Sequence, residues 1–268
     1  PGRSLSTGQY NLYGATGIVN LCAGTLAVNT ITNLPSLGVA VVNFSGGTLK
    51  ACTNAPQFMT KDLTYVNVNG PFGAYAGGAV IDSDGKNVTI SAPLLAPTGN
   101  GVRTIALATK GSGYIGEPYV SIAGGGGFGA TAVANMEEDG SGTYRVASVT
   151  VTSPGWDYAS EPAVAFLMGG NGAVAPTVNA VTLEPNTSGG LTKLGAGTLT
   201  LSATNRYAGP TTVSGGTLKL GSAGALPATS AVVLSGGTLD LGGFTCTNGL
   251  TALGGALTNG TLQTVLSP

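Results

Sequence analysis

The chain has 268 residues, of which 8% are charged, with a net charge of −1, 46 glycines and no histidine. So few charges leave no basic stripe to release counterions from a phosphate backbone, and nucleic acid is not an expected partner. Without histidine the usual general base, the commonest transition-metal ligand and every Ser-His or Cys-His dyad are missing, which removes most hydrolase mechanisms.

Abundant Gly, Thr, Ser, Asn, Ala and Val, with few Glu, Lys or Arg, disfavour helices and favour short strands joined by tight turns, so an almost all-β protein is expected. No run of about 18 apolar residues is present, so no helical membrane span is expected. The start, "PGRSLSTGQYNLYG", lacks the charged-then-apolar plan of a signal peptide and suggests a mature or trimmed chain. From there the tripeptide Gly-Thr-Leu recurs, starting at Gly24, Gly47, Gly197, Gly216, Gly237 and Gly260. The local spacings are 23, then 19, 21 and 23. A period near 21 is too short for an independent sheet and core but long enough for one coil of two or three short strands, and stacked coils pair each strand with its copies above and below. The expected product is a parallel β-helix, a β-solenoid, with N-terminal coils over 1–99 and C-terminal coils over 186–268. In "GGTLKL" and "GGTLDL" a glycine turn precedes a strand in which Leu218 and Leu220, or Leu239 and Leu241, face one side, leaving Lys219 and Asp240 on the other.

Within the N-terminal coils, "IDSDGK" places Asp82 and Asp84 before Gly85 like the start of a calcium loop, but the further ligands and the distant Glu are missing, so a plain Asp-Gly turn is favoured. Cys22, Cys52 and Cys246 have no C-x-x-C spacing, which does not support a metal knuckle. An oxidising compartment would allow a Cys22–Cys52 disulfide, leaving Cys246 as a free or intermolecular thiol or as a small buried residue.

Over 100–185 the tripeptide vanishes and a second repeat appears. "VRTIALATKGSGYIGEPYVSIAGG" from Val102 aligns without gaps on "VASVTVTSPGWDYASEPAVAFLMG" from Val146, a period of 44. Each copy is expected to form a strand, a Gly-x-x-Tyr-x-x-Glu-Pro turn and a second strand, a β-hairpin-like unit, so the segment is expected to be an inserted β-rich module. Inserts of this kind carry recognition in solenoids, and Tyr114, Tyr119, Trp156 and Tyr158 are the candidate partner contacts, equally suited to the core of a small β module. Glu117 and Glu161 occupy equivalent places in the two copies, whereas a glycosidase acid and base need environments that separate their pKa values, so a turn role beside Pro118 and Pro162 is favoured. "AGGGGFGA", residues 123–130, has neither the Lys-Ser/Thr nor the helix of a phosphate loop and is expected to be a flexible turn. Glu137, Glu138 and Asp139 are expected at a solvated hairpin tip, with calcium as a minor alternative.

The C-terminal coils open with "GGLTKLGAGTLTLSATNRYAGPTTVSGGTLKLG", residues 189–221. This stretch closely resembles the autotransporter-associated β-strand repeat, also called the passenger-associated transport repeat. The match runs through Gly-Gly-Leu-Thr-Lys, Gly-Ala-Gly-Thr-Leu-Thr-Leu, Asn-x-Tyr-x-Gly-x-Thr-Thr-Val and Gly-Gly-Thr-Leu in that order. "NFSGGTLKA" and "GGAVIDSDGKNVTI" are more loosely similar to it. The resemblance implies a right-handed β-helical passenger, exported across the outer membrane of a Gram-negative-type bacterium and displayed or shed, and it implies no catalytic residues. The 102–175 segment has a weaker resemblance to Gly-x-x-Tyr repeats of bacterial surface and phage-fibre proteins. Lys193, with no acidic cluster nearby in sequence, is expected to be a solvated flank residue. Within these 268 residues, up to the terminal "TLQTVLSP", the alternating, aromatic-girdled strands of a membrane barrel are not expected.

Three functions follow as expectations. The first is a non-catalytic stalk or fibre subunit of the cell surface or extracellular space, which stacks on itself head to tail through open solenoid ends. The second is an adhesin that binds surface glycans or proteins through 100–185. The third is a polysaccharide lyase or depolymerase, which would need charged residues clustered on one face, whereas here they are scattered. No catalytic, cofactor-binding or metal-binding residue is assigned, and no cofactor is expected.

Overall fold

Alternating inward Leu and outward Thr residues behind glycine corners make strands with one apolar face, and such strands must stack to bury it. The computed structural model describes residues 9–12, 16–33, 38–140, 142–170 and 172–263. The chain divides into two compact units, residues 1–96 with 187–268, and residues 97–186.

In the first unit fifteen strands join one sheet, in which each strand pairs parallel with its neighbours. Three ladders run through this solenoid-like sheet. One stacks Thr16–Leu21, the first half of Val39–Ala51 and Tyr65–Val68. A second stacks Thr25–Val28, the second half of Val39–Ala51, Gly78–Asp82, Leu191–Leu194, Thr211–Val213 and the starts of Val232–Asp240 and Leu250–Thr258. The third stacks Gln9–Leu12, Thr30–Asn33, Ala55–Met59, Val88–Ile90, Thr198–Leu201, Thr217–Leu220 and the ends of Val232–Asp240 and Leu250–Thr258. The stack passes directly from Gly78–Asp82 to Leu191–Leu194 and from Val88–Ile90 to Thr198–Leu201, so residue 187 onward resumes it one coil beyond the point where residue 96 leaves it.

The six Gly-Thr-Leu triplets do not mark a single ladder. Thr25 pairs with Thr48 in the second ladder, Thr198, Thr217 and Thr238 pair in the third, and Thr261 pairs with Thr245 in a separate two-stranded sheet. The coil after Thr238 is closed by Ala256, not by Thr261. A glycine corner followed by an inward leucine suits any face of a coil, so one local pattern serves several.

Leu199, Leu218 and Leu239 stack in register and are completely buried, with Leu201, Leu220 and Leu241 beside them. Polar residues share this interior when the next coil satisfies them. The Asn43 amide donates to Asn20 at 2.9 Å and the Asn67 amide donates to Asn43 at 2.9 Å, a ladder of side chains that repeats the backbone ladder.

The second unit is antiparallel. Phe128–Glu138 and Tyr144–Trp156 form a long hairpin, and Tyr119–Ala123 pairs with Phe128–Glu138 on one side and Ala163–Leu167 on the other. Asn100–Leu107 pairs with Val178–Pro185, which brings the ends of the unit together. The two 44-residue copies are therefore not two hairpins. Their equivalent second strands pair with each other, with Ser121 opposite Ala165, and each first strand pairs with the strand that follows the other copy. A hairpin needs a tight turn between its strands, and the Gly-x-x-Tyr segment instead uses its tyrosine as a core residue.

Leu218→Ala is expected to cost about 3 kcal/mol, from lost apolar burial plus an unfilled cavity between coils. Lys219→Ala, on the exposed side of the same strand, should stay within about 0.5 kcal/mol of wild type. Urea denaturation of both variants checks the pair.

Candidate functional site

Of the four aromatic residues marked as contacts, three are inside. Tyr114, Trp156 and Tyr158 are buried, whereas Tyr119 is 61% exposed. Tyr114 anchors the smaller core with Val120, Ala134 and Val146. Each repeat's tyrosine faces a glycine of the other copy. A Cβ on Gly169 would lie 2.5 Å from the Tyr114 ring, and one on Gly125 would lie 3.0 Å from the Tyr158 ring. Gly125 and Gly169 are themselves equivalent, so the copies exchange seats.

The glycine run 123–130 is thus a packing surface and not a flexible turn. A Cβ on Gly127 would sit 2.4 Å from Tyr158 and one on Gly129 would sit 2.4 Å from Trp156, whose ring meets Phe128 at 5.2 Å. Burial raises the pKa of the Tyr158 phenol, with a backbone hydrogen bond at Ala130 opposing it.

The carboxylates are dispersed among turns and ion pairs. Glu117 and Glu161 are exposed. Asp82 accepts a 2.9 Å hydrogen bond from the Asp84 amide, and Lys50 pairs with Asp84 at 3.2 Å, which makes "IDSDGK" a closed Asx-type turn. Glu137 accepts from Lys110 at 2.8 Å and Arg145 at 2.7 Å, and these two hydrogen bonds hold its carboxyl below the usual range. Asp139 bonds Thr143 across the hairpin tip. Cys52 is a free thiol, and burial pushes the Cys22 thiol up to about 11.

Lys193 corrects its expected place. It is not a solvated flank residue but occupies a core position, in register with Ile81 and Val213, and its side chain has no exposure. The ammonium donates to the carbonyls of Leu194 at 2.7 Å, Gly195 at 2.8 Å and Gly215 at 3.1 Å. Two carbonyls belong to its own corner and one to the next coil, so the buried cation clamps consecutive coils. Burial lowers its pKa to about 8, and the charge of Asp82 acts in the opposite direction.

The neighbouring polar residues of the same stretch are clamps too. Asn205 accepts from the Leu94 amide at 2.8 Å and donates to the Ala225 carbonyl at 2.6 Å, which ties the coil before it to the coil after. The Tyr207 hydroxyl, pushed up to about 12 by burial, meets Thr211 at 2.7 Å, and Thr211 meets Ser230 at 2.7 Å. None of these roles was expected from the residue pattern. The signal was present, because a strand reading Leu191 inward must also place Lys193 inward.

A groove of about 300 Å³ crosses three coils at Gly77–Gly78, Gly189–Gly190 and Gly209–Pro210. It exists because the coils approach too closely there for side chains. A Cβ on Gly190 would lie 2.1 Å from the Pro210 carbonyl, and one on Gly209 would lie 2.4 Å from the Gly190 amide. Its lining offers the hydroxyls of Ser188, Thr192 and Thr212 and no ionisable side chain, so it has nothing with which to transfer a proton.

The family model of the passenger-associated-transport repeat matches residues 191–220, the segment that holds Lys193, Asn205 and Tyr207. The chain is also similar to the adhesin BmaC autotransporter of Brucella suis biovar 1 (strain 1330), with 41% identity over 99 residues, which cover 33% of this chain and 3% of that protein. The chain therefore spans only a small part of that curated relative. No solved structure matches the chain.

Two outcomes are expected. In the window between about pH 8 and 10.5 the unfolded chain keeps the Lys193 proton that the folded chain gives up, so this group makes stability rise with pH there and contributes no slope below it. Lys193→Met should lose that rise, and urea midpoints that change equally in wild type and variant between pH 7 and pH 10 would refute the assignment. Gly127→Ala, forced against the Tyr158 ring, is expected to cost about 2 kcal/mol or more, read as a lowered thermal midpoint.

Proposed function

We infer that this chain, an autotransporter passenger-repeat protein secreted by or displayed on a Gram-negative bacterium, is an adhesin-like part of a passenger. Its parallel coils serve as a non-catalytic, closed and right-handed solenoid stalk, and residues 97–186 serve as the recognition element. The observation that carries this reading is the uninterrupted pairing of Gly78–Asp82 with Leu191–Leu194. A stack that closes over the departure of 90 residues has no structural need of them, and segments of that kind are free to specialise in binding. Tyr119 offers the aromatic surface for contact with a surface protein or glycan, and Tyr114 packs beneath its strand against Val120.

Display of the chain on a non-adherent bacterium, with and without residues 97–186, tests the reading. Adherence is expected to fall about tenfold on deletion while display persists, in line with loss of the main contact residues. Equal adherence at equal display would assign recognition to the coils.

A second reading rests on Leu250–Thr258, which among the described residues pairs only with Val232–Asp240 and whose residues are nearly all exposed. An open parallel edge templates addition of another coil, which supports head-to-tail stacking into a fibre. Negative-stain microscopy at rising concentration should then show end-to-end strings, and separate particles throughout would sink this second reading.

A further inference from the structure

The 44-residue repeat supplies an internal control for the surface of residues 97–186. Ile115, Tyr119, Leu167 and Met168 are all strongly exposed, at 76, 61, 45 and 79%. Tyr119 lies directly opposite Leu167, and the Ile115 amide bonds the Gly169 carbonyl beside Met168, so the four form one cluster. The positions 44 residues away are Ala159, Ala163, Ala123 and Gly124. The same local fold is therefore built with alanine and glycine in these places, and nothing in its own packing requires the bulky apolar set.

The cluster borders an open edge. Ala163–Leu167 is the last strand of the four-stranded sheet, and among the described residues no strand lies on its outer side. Val164 and Phe166 pack into the core, while Ala163, Ala165 and Leu167 face out. Natural edges are blunted by charges, proline or bulges. This strand, Ala-Val-Ala-Phe-Leu, has none of these, and its register is unbroken.

What fits such an edge is shown on its inner side. There the strand already holds its own sequence equivalent, Tyr119–Ala123, antiparallel and centred on Ser121 opposite Ala165. We propose that the outer side takes a second copy of this chain, Ala163–Leu167 pairing antiparallel with the same strand about a two-fold axis at Ala165. Two four-stranded sheets then become one of eight strands. The pairing is self-complementary: Leu167 meets Ala163 and Phe166 meets Val164, large against small at each step, with no charge facing charge. Main-chain hydrogen bonds join the strands, and Leu167 and Met168 of each copy cover the end of the other strand. Association through this edge is independent of any stacking of coil ends and of adherence.

Sedimentation velocity of the full chain tests this. Wild type is expected to form a dimer as concentration rises to hundreds of micromolar. Ala165→Lys and Ala165→Glu each set like charges directly opposite and should weaken dimerisation roughly tenfold or more, and an equimolar mixture should restore it because lysine then faces glutamate. Circular dichroism establishes that each variant is folded. Ala163→Lys, which would meet Leu167 of the second copy, provides a weakened variant at a separate exposed position. The proposal is overturned if wild type remains monomeric throughout, if the folded variants dimerise like wild type, or if the mixture fails to restore the dimer.

Discussion

Parallel pairing of each strand with its copy one coil away is the interaction on which the solenoid-like unit depends. It fixes the distance between coils at the spacing of hydrogen-bonded strands, so every residue sits directly above and below a counterpart. A leucine is then buried by leucines, as at Leu199, Leu218 and Leu239. The corners must let backbones approach as closely as the strands do. That explains glycine at 189, 190 and 209, where a Cβ would fall within 2.4 Å of a neighbouring coil's backbone.

The same spacing makes a polar interior tolerable. A buried amide, hydroxyl or ammonium costs free energy when left unmatched, but a stacked coil offers an identical set of acceptors at a fixed distance. Asn20, Asn43 and Asn67 satisfy one another in this way. Lys193 combines two carbonyls of its own corner with one of the next coil, Asn205 bonds an amide and a carbonyl of the coils on either side, and Tyr207 is satisfied through Thr211 and Ser230. The buried polar residues of the segment that matches the passenger repeat thus contribute to cohesion within and between coils.

In residues 97–186 the governing principle is exchange between copies. Tyr114 and Tyr158 each occupy a glycine seat of the other repeat, and the equivalent second strands pair face to face. Such a unit is closed at its core while, among the described residues, its last strand has no partner on its outer side, and the bulky apolar residues beside that strand have only alanine and glycine as counterparts.

The sequence by itself determined the all-β class, the inward leucines behind glycine corners, the register of the 198, 217 and 238 coils, and the existence of a 44-residue repeat, because period-two alternation and spacing are properties of neighbouring residues. Only the tertiary structure decided that the Gly-Thr-Leu triplets divide among separate ladders and that Thr261 is not the successor of Thr238. Strand alternation already placed Lys193 inward with Leu191, but the tertiary structure alone supplied the Gly215 carbonyl that makes it a clamp, and it alone set Tyr114 and Tyr158 inside while Tyr119 stayed out. In each case the outcome depends on which distant strand lies alongside. A five-residue pattern specifies two faces, but the partner that covers one of them is chosen by the packing of the whole unit.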